Sequence, residues 1–237
     1  MSKNPEIDAI RMEENKERIL KLSFKLLAER GIEAVSMSNI AKAARFDRSS
    51  LYRYFQTKQD LVIAINAYVW GRFTARNYER PGVETQTAAQ RYVFWLDSFL
   101  VLYREYGDIL RFNQFFNVYI ANERVSAEQM APFHRVIKEL EARFHEVYAL
   151  AKKDGTLRTD IPEQKIFSTT LHLMLAAATR YAVGLVYQGA DSSPEEELTA
   201  LREMLMERYV AGKQSQCPAD LSENTAMHPL DTGEGII

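Results

Sequence analysis

Apolar residues recur at helical spacing along most of this 237-residue chain, and very little interrupts them. Ten glycines and seven prolines are present, about 7% of residues where about 12% is usual. Few breakers and long stretches of period 3.6 predict an all-α fold. The length suits one or two domains, with enough chain for a core that needs no disulfide or metal staple. Hydrophobic residues at 46% and charged residues at 26% exclude intrinsic disorder for the chain as a whole. Cys217 is the single cysteine, which excludes a disulfide scaffold and a Cys-ligated zinc and fits a reducing compartment. No run of 18 apolar residues is present, so no membrane span is expected. The first sixteen residues lack an apolar h-region, so no secretory signal is read there and a cytoplasmic location is expected.

The net charge of −2 hides an asymmetry. Residues 16–60 carry ten Lys/Arg against five Asp/Glu, so this stretch is +5 and the remainder −7. A basic head on an acidic body suggests a polyanionic partner for the head.

Residues 16–30 form an amphipathic pattern in which Leu20, Phe24 and Leu27 define the stripe, and Gly31 closes the helix. Ser36 is placed as the N-cap of a two-turn helix with Met37, Ile40, Ala41 and Ala44 on its apolar face. Asp47 caps a third helix, with Leu51 and Phe55 inward and Arg48, Ser49, Tyr52 and Arg53 outward. A longer helix is predicted from Lys58 to about Tyr78, stopped by Pro81-Gly82. Further helices are expected at about 86–105, 108–122 and 127–153, with Pro132 either opening or kinking the last. Pro162 opens a helix expected to reach Gln188, and Ser193-Pro194-Glu195-Glu196 starts a final one that ends near Ala211-Gly212. Residues 213–237 show no periodicity and read as a disordered tail. Residues 1–14 read as an extension of the first helix or a flexible arm. The expected domains are 1–60 and 61–212.

Three helices joined by tight turns, with a basic outer face on the third, describe a helix-turn-helix DNA reader. A major groove about 12 Å wide admits one helix, held to its body by the opposite face. Arg48, Ser49 and Arg53 can then reach base edges or phosphates, and the Tyr52 hydroxyl suits a phosphate oxygen. Lys58 adds charge and helix N-terminal N–H groups.

The segment Ala34 to Leu61, above all the run LYRYFQTKQDL, resembles the signature of tetracycline-repressor (TetR) type regulators. Ser36-Met37, Ile40-Ala41, Ala43-Ala44, Ser50-Leu51-Tyr52, Tyr54-Phe55, Lys58 and Asp60-Leu61 carry the match. The resemblance implies DNA contacts from Ser36, Arg45, Arg48, Ser49, Ser50, Tyr52, Arg53, Tyr54 and Lys58. One departure stands out. Relatives usually have a Gly-Val-Ser type turn where this chain has Arg45-Phe46-Asp47. A residue with a Cβ at positive φ costs about 1–2 kcal/mol, so either the turn is adjusted or the strain is tolerated. Arg45 in that position would add a phosphate contact.

The resemblance further implies a homodimer on a palindromic double-stranded operator, paired through helices at about 163–188 and 194–211, in which Gly184 lets helices approach closely. It implies a helical ligand-binding and dimerisation body, and a repressor released by a small effector that shifts the fourth helix. The aromatic content suggests a largely apolar effector. Candidate pocket residues are Trp95, Phe99, Phe112, Phe115, Phe116, Tyr119, His172 and Tyr181, with Gln114, Asn117 and Arg180 as further polar anchors.

Other chemistries lack support. Glu141 and His145 lie at i, i+4 but have no further ligands at matching spacing, so no metal and no other cofactor is expected. Phosphate loops and nucleophile elbows are absent, so no catalytic residue is named and an enzyme is not expected. The alternative is a DNA-binding accessory or partner-binding helical protein without an effector, for which a filled rather than hollow body would speak.

Overall fold

The structure, a computed structural model, describes residues 5–78, 83–184 and 193–212. Among these the regular elements are α1 (Pro5–Arg30), α2 (Met37–Ala44), α3 (Arg48–Tyr54), α4 (Lys58–Tyr78), α5 (Ala88–Glu105), α6 (Gly107–Asn122), α7 (Ala131–Asp154), α8 (Glu163–Val183) and α9 (Pro194–Tyr209), with one 3-10 turn before α5. The described residues contain no β-strand, only an isolated bridge between Leu157 and Val210. The fold is all-α, as expected.

α1 packs on α2, α4 and α6, and α3 rests on α2, which makes the three-helix head. α5 runs through the body against α6, α7, α8 and α9. α4 joins the two parts by packing on α1, α6 and α7. A single network of buried apolar residues extends from Ile19 and Leu27 in the head to Leu205 and Tyr209 in α9.

Local chemistry sets several helix ends. Ser193 caps α9 through its side chain on the Glu196 N–H, with Pro194 at the first position. Pro132 lies in the first turn of α7, where no N–H is missed, so it opens the helix and does not kink it. That start comes later than expected, because Ser126 and Gln129 first close a turn through reciprocal side-chain bonds. α1 begins at Pro5, well before Lys16.

Two helix ends correct the sequence reading. The helix expected to reach Gln188 stops at Val183, and Gly184 takes φ 103° as its C-cap. Glycine therefore terminates α8 and does not serve as a point of close approach within it. α9 ends at Tyr209, because Val210 turns to pair with Leu157 and the Tyr209 carbonyl accepts from the Arg158 N–H. The Pro81-Gly82 stop, residues 185–188 and the tail 213–237 lie outside the described residues.

Candidate nucleic-acid interface

The interface is built from two caps and one strained turn. Ser36 starts α2 with a reciprocal capping box. Its hydroxyl accepts from the Asn39 N–H at 3.2 Å, and its own N–H donates to Asn39 Oδ1 at 3.0 Å. Asp47 starts α3, with Oδ1 accepting from the Ser50 N–H at 2.8 Å. Both serine hydroxyls also donate to this carboxylate, Ser49 to Oδ1 and Ser50 to Oδ2, each at 2.6 Å. These bonds, that of Ser49 first, hold the Asp47 carboxyl far below the usual carboxylate range. Ser49 and Ser50 thus have their protons committed. What remains on the exposed Ser49 is a lone pair, which suits a base amino group and not a phosphate oxygen.

Between the caps, Arg45 takes φ 59° and ψ 42°. It is the one non-glycine residue at positive φ among those described. The strain is therefore tolerated and the turn is not rebuilt. Two hydrogen bonds compensate: the Arg45 N–H donates to the Lys42 carbonyl at 3.2 Å and the Phe46 N–H to the Ala41 carbonyl at 2.9 Å, closing α2 as a Schellman turn. The Phe46 ring then wedges between head helices. The Arg18 guanidinium lies 4.7 Å from its centroid, and Tyr54 meets it edge-on at 5.9 Å. Two exposed cations, Arg18 and Arg45, flank this turn.

Leu51 is fully buried and Phe55 is 4% exposed, so they anchor α3. On the opposite side Arg48, Ser49, Tyr52 and Arg53 are all exposed. Arg48 lies over the Tyr52 ring at 5.6 Å, which holds the two as a stacked unit at i, i+4. Tyr54 is half-buried against Phe46 and serves the packing of the head. Lys58 turns the other way. Its ammonium sits 5.5 Å above the Tyr119 ring of α6, and burial lowers its pKa against the pull of Glu33 and Glu123. Burial, with Glu123 and Glu33 nearby, raises the Tyr119 hydroxyl to about 12.

Lys58 therefore belongs to a clasp between the start of α4 and the body. Gln59 Nε2 donates to Glu123 at 2.8 Å, and Gln129 Nε2 donates to Asp60 at 3.1 Å. On the far side of α4, Glu17 accepts from Tyr68 and Arg72 at 3.0 and 2.8 Å. The sequence reading did not single out this clasp, because its partners lie more than 50 residues apart. Another residue it missed is Asn66, on α4, fully buried with neither carboxamide atom partnered among the described residues. The only signal was one polar residue inside the apolar run LVIAINAYVW.

The eight candidate pocket residues do not surround one cavity. Trp95 stacks on Phe167 with ring planes 6° apart and borders a cleft of about 110 Å³ between α5 and α7. Phe99 packs against Trp95, and Phe112 and Phe116 pack together. Phe115 lies against Gly31, and Tyr119 lies under Lys58. Tyr181 donates to Glu197 of α9 and meets Tyr103 edge-on. His172 is exposed and lines a different groove, between α6 and α8, with Gln114, Asn117 and Arg180. His145 faces Glu163 at 3.1 Å. Among the described residues no group of three His, Cys, Asp or Glu is placed to hold a metal. No described helix is long and apolar enough to cross a membrane.

A short recognition helix pinned by Leu51 and Phe55, presenting Arg48, Tyr52 and Arg53 outward, defines a helix-turn-helix DNA-binding head. Residues 19–65 match the family model of bacterial regulatory proteins, tetR family. An HTH-type transcriptional regulator of Staphylococcus aureus is 44% identical over 48 residues, 20% of this chain and 26% of that protein. The chain thus matches about a quarter of the length of that relative. The whole fold has solved counterparts. A tetR-family regulatory protein from Rhodococcus RHA1 superposes with a TM-score of 0.61 at 14% identity, covering 81% of this chain and 95% of the other. The fatty acid degradation regulator FadR from Bacillus halodurans gives 0.61 at 15% identity, covering 87% and 97%. AibR, solved with isovaleryl coenzyme A and operator DNA, gives 0.57 at 18% identity, covering 82% and 97%. Residues 19–65 thus match the DNA-binding head of tetR-family regulatory proteins, and the chain as a whole shares its fold with solved structures that include members of that family.

Proposed function

We propose that the protein is a homodimeric transcriptional repressor that binds a palindromic operator and leaves it when a small, largely apolar effector enters the body. The observation that carries this reading is the exposed Arg48–Tyr52–Arg53 face of α3, in a segment that matches the family's head. Arg48 and Arg53 read base edges, and Tyr52, Arg45 and Arg18 hold phosphates. Ser36 and Ser50 act mainly as capping and bracing groups for the two helices.

Pairing of two copies through α8 and α9 is supported by exposed apolar residues there, Leu173 at 45%, Val183 at 47% and Met204 at 65%. Two heads on one face of DNA must sit about 34–36 Å apart. The clasp around Lys58, Gln59 and Asp60 fixes α4 to α6 and the turn before α7, so a ligand that moves α6 or α7 changes that spacing. The effector's apolar part enters beside Trp95. That cleft is below the roughly 300 Å³ of a usual ligand pocket, so entry requires the Trp95, Phe144 and Phe167 cluster to open.

The filled aromatic core is also what an accessory DNA-binding protein without an effector would show. Footprinting on the DNA upstream of the protein's own gene, with complex mass measured in parallel, tests the reading. Two protected half-sites one helical turn apart, occupied by a multiple of two copies, support it. A single unpaired footprint or a one-copy complex refutes the dimeric repressor.

A further inference from the structure

Of the outward residues of α3, Arg48, Tyr52 and Arg53 have proposed partners on DNA, and Ser49 has none. The Ser49 hydroxyl donates to Asp47 Oδ1 at 2.6 Å. Ser50 donates to Oδ2 from its hydroxyl at 2.6 Å and to Oδ1 from its N–H at 2.8 Å. A carboxylate only accepts, so both hydroxyl protons point at Asp47. An O–H···O⁻ bond of this length is charge-assisted and about twice as strong as a neutral one. Asp47 and Ser49 are exposed and Ser50 is half-buried, so Ser49 is the hydroxyl that DNA can reach. A hydroxyl carries one proton and two lone pairs. With the proton held by Asp47, Ser49 offers acceptors alone, whereas Arg48 and Arg53 beside it carry donors alone.

The major groove separates the bases by this property. Adenine N6 and cytosine N4 donate there, while guanine offers only acceptors and thymine an acceptor and a methyl group. An unconstrained serine serves either kind. A serine whose proton is committed sets lone pair against lone pair when it meets guanine or thymine.

We propose that Ser49 selects an amino-bearing base, adenine or cytosine, on the strand it faces, and that Asp47 enforces the choice by holding the hydroxyl proton. The choice rests on α3 being the reading helix of the proposed function. Each base pair carries one such amino group, so the contact fixes which strand bears it and tells A·T from T·A and C·G from G·C. Asp47 acts through Ser49 and is a positioning residue.

The test is selection of randomised duplex DNA by the full-length protein, followed by sequencing, for the wild type, Ser49→Ala and Asp47→Asn. The wild type is expected to enrich a half-site in which one position is restricted to adenine or cytosine on one strand. Ser49→Ala should open that position to all four bases and leave the others unchanged. Asp47→Asn keeps an acceptor for the Ser50 N–H, so the cap persists, but it removes the charge that holds the Ser49 proton. It should admit guanine and thymine at that position and no other, whereas a purely structural role for Asp47 would weaken all sequences alike. In the selected site, purine in place of adenine, or 2-pyrimidinone in place of cytosine, removes the amino group. The wild type should then bind about tenfold more weakly, and Ser49→Ala should be indifferent to the change. A half-site that Ser49→Ala leaves unaltered, a position restricted to guanine or thymine that Ser49→Ala releases, or an Asp47→Asn preference identical to the wild type overturns the proposal alone. A wild type that enriches no sequence overturns the proposal together with the DNA-reading function beneath it.

Discussion

The turns of the head and the interior of the body handle polar groups in opposite ways. At the head's turns, partners lie two or three residues apart: Ser36 with Asn39, Asp47 with Ser49 and Ser50, Thr57 with Asp60. In the body, helix caps are local too, but interior and inter-helix pairs are distant, as with Tyr92 and Thr170 at 2.8 Å or the Ala88 N–H on Asp154 at 2.7 Å. Among the described residues, Asn66 and Thr179 in the body have no hydrogen-bond partner, and in the head the same is true of Ser23, inside α1 and away from the turns. Local satisfaction makes the turns around the recognition helix rigid in one conformation, which reading a groove requires. A rearrangement that gave Asn66 or Thr179 a partner would be favourable, which is the kind of change a ligand can select.

The largest effect expected from breaking this arrangement is at Leu51. It is fully buried and anchors α3, so Leu51→Ala is expected to cost about 2–5 kcal/mol. Thermal denaturation should show the head unfolding ahead of the body, with DNA binding lost. Next come Arg48→Ala and Arg53→Ala, each expected to cost about 1–3 kcal/mol in operator binding and to relax specificity at one base position. Tyr52→Phe should instead weaken all sequences alike. A sequence-selective loss from that variant would move Tyr52 from phosphate contact to base readout.

On the body side, Asn66→Leu removes a buried carboxamide that lacks partners. It is expected to stabilise the ligand-free protein by about 1–2 kcal/mol, read as a higher urea midpoint. A destabilised variant would mean that Asn66 is satisfied in solution and would weaken the contrast between head and body. A smaller effect is expected at the strained turn. Arg45→Gly relieves the positive φ, worth about 1 kcal/mol of head stability, and should lower affinity for every DNA sequence by a similar factor through the lost cation.

The smallest effect is a titration. The Asp47 carboxyl is held low by the Ser49 and Ser50 hydroxyls and the Ser50 N–H. A group depressed on folding contributes stability above its unfolded value of about 3.9 and loses it as pH falls through the folded value. The α3 cap should therefore survive acidification through pH 4, with the Asp47 side-chain carbon titrating below the ordinary carboxylate range by NMR. A midpoint near 4 would mean that the three bonds to Asp47 are absent in solution.

What could be read from the sequence follows the same division. Ser36, Asp47 and Ser193 place their helices because a cap acts within three residues, and the inward positions of Leu51 and Phe55 follow from spacing alone. The left-handed Arg45 could be suspected from a missing glycine, but the packing of the next residue, Phe46, under Arg18 is a long-range contact that no local pattern reveals. The apolar pattern continues past Gly184 and so predicts a longer helix, but its φ of 103° ends α8 there. Lys58 sits at the right position for a phosphate and yet faces Tyr119, 61 positions further along the chain. Periodicity identified the inward aromatics of the body. It could not separate rings that close on one another, such as Trp95 and Phe167, from residues that border open space, such as His172.

Whether the α3 face reads DNA sequence is decided by fluorescence anisotropy of the full chain on its own upstream DNA, titrated from about 50 to 200 mM salt. Affinity is expected to fall by about a hundredfold or more across that range, as when several phosphates are neutralised, while preference over scrambled competitor persists. A flat salt profile, or equal binding to scrambled DNA, would contradict the assignment of the α3 face as a sequence-reading surface.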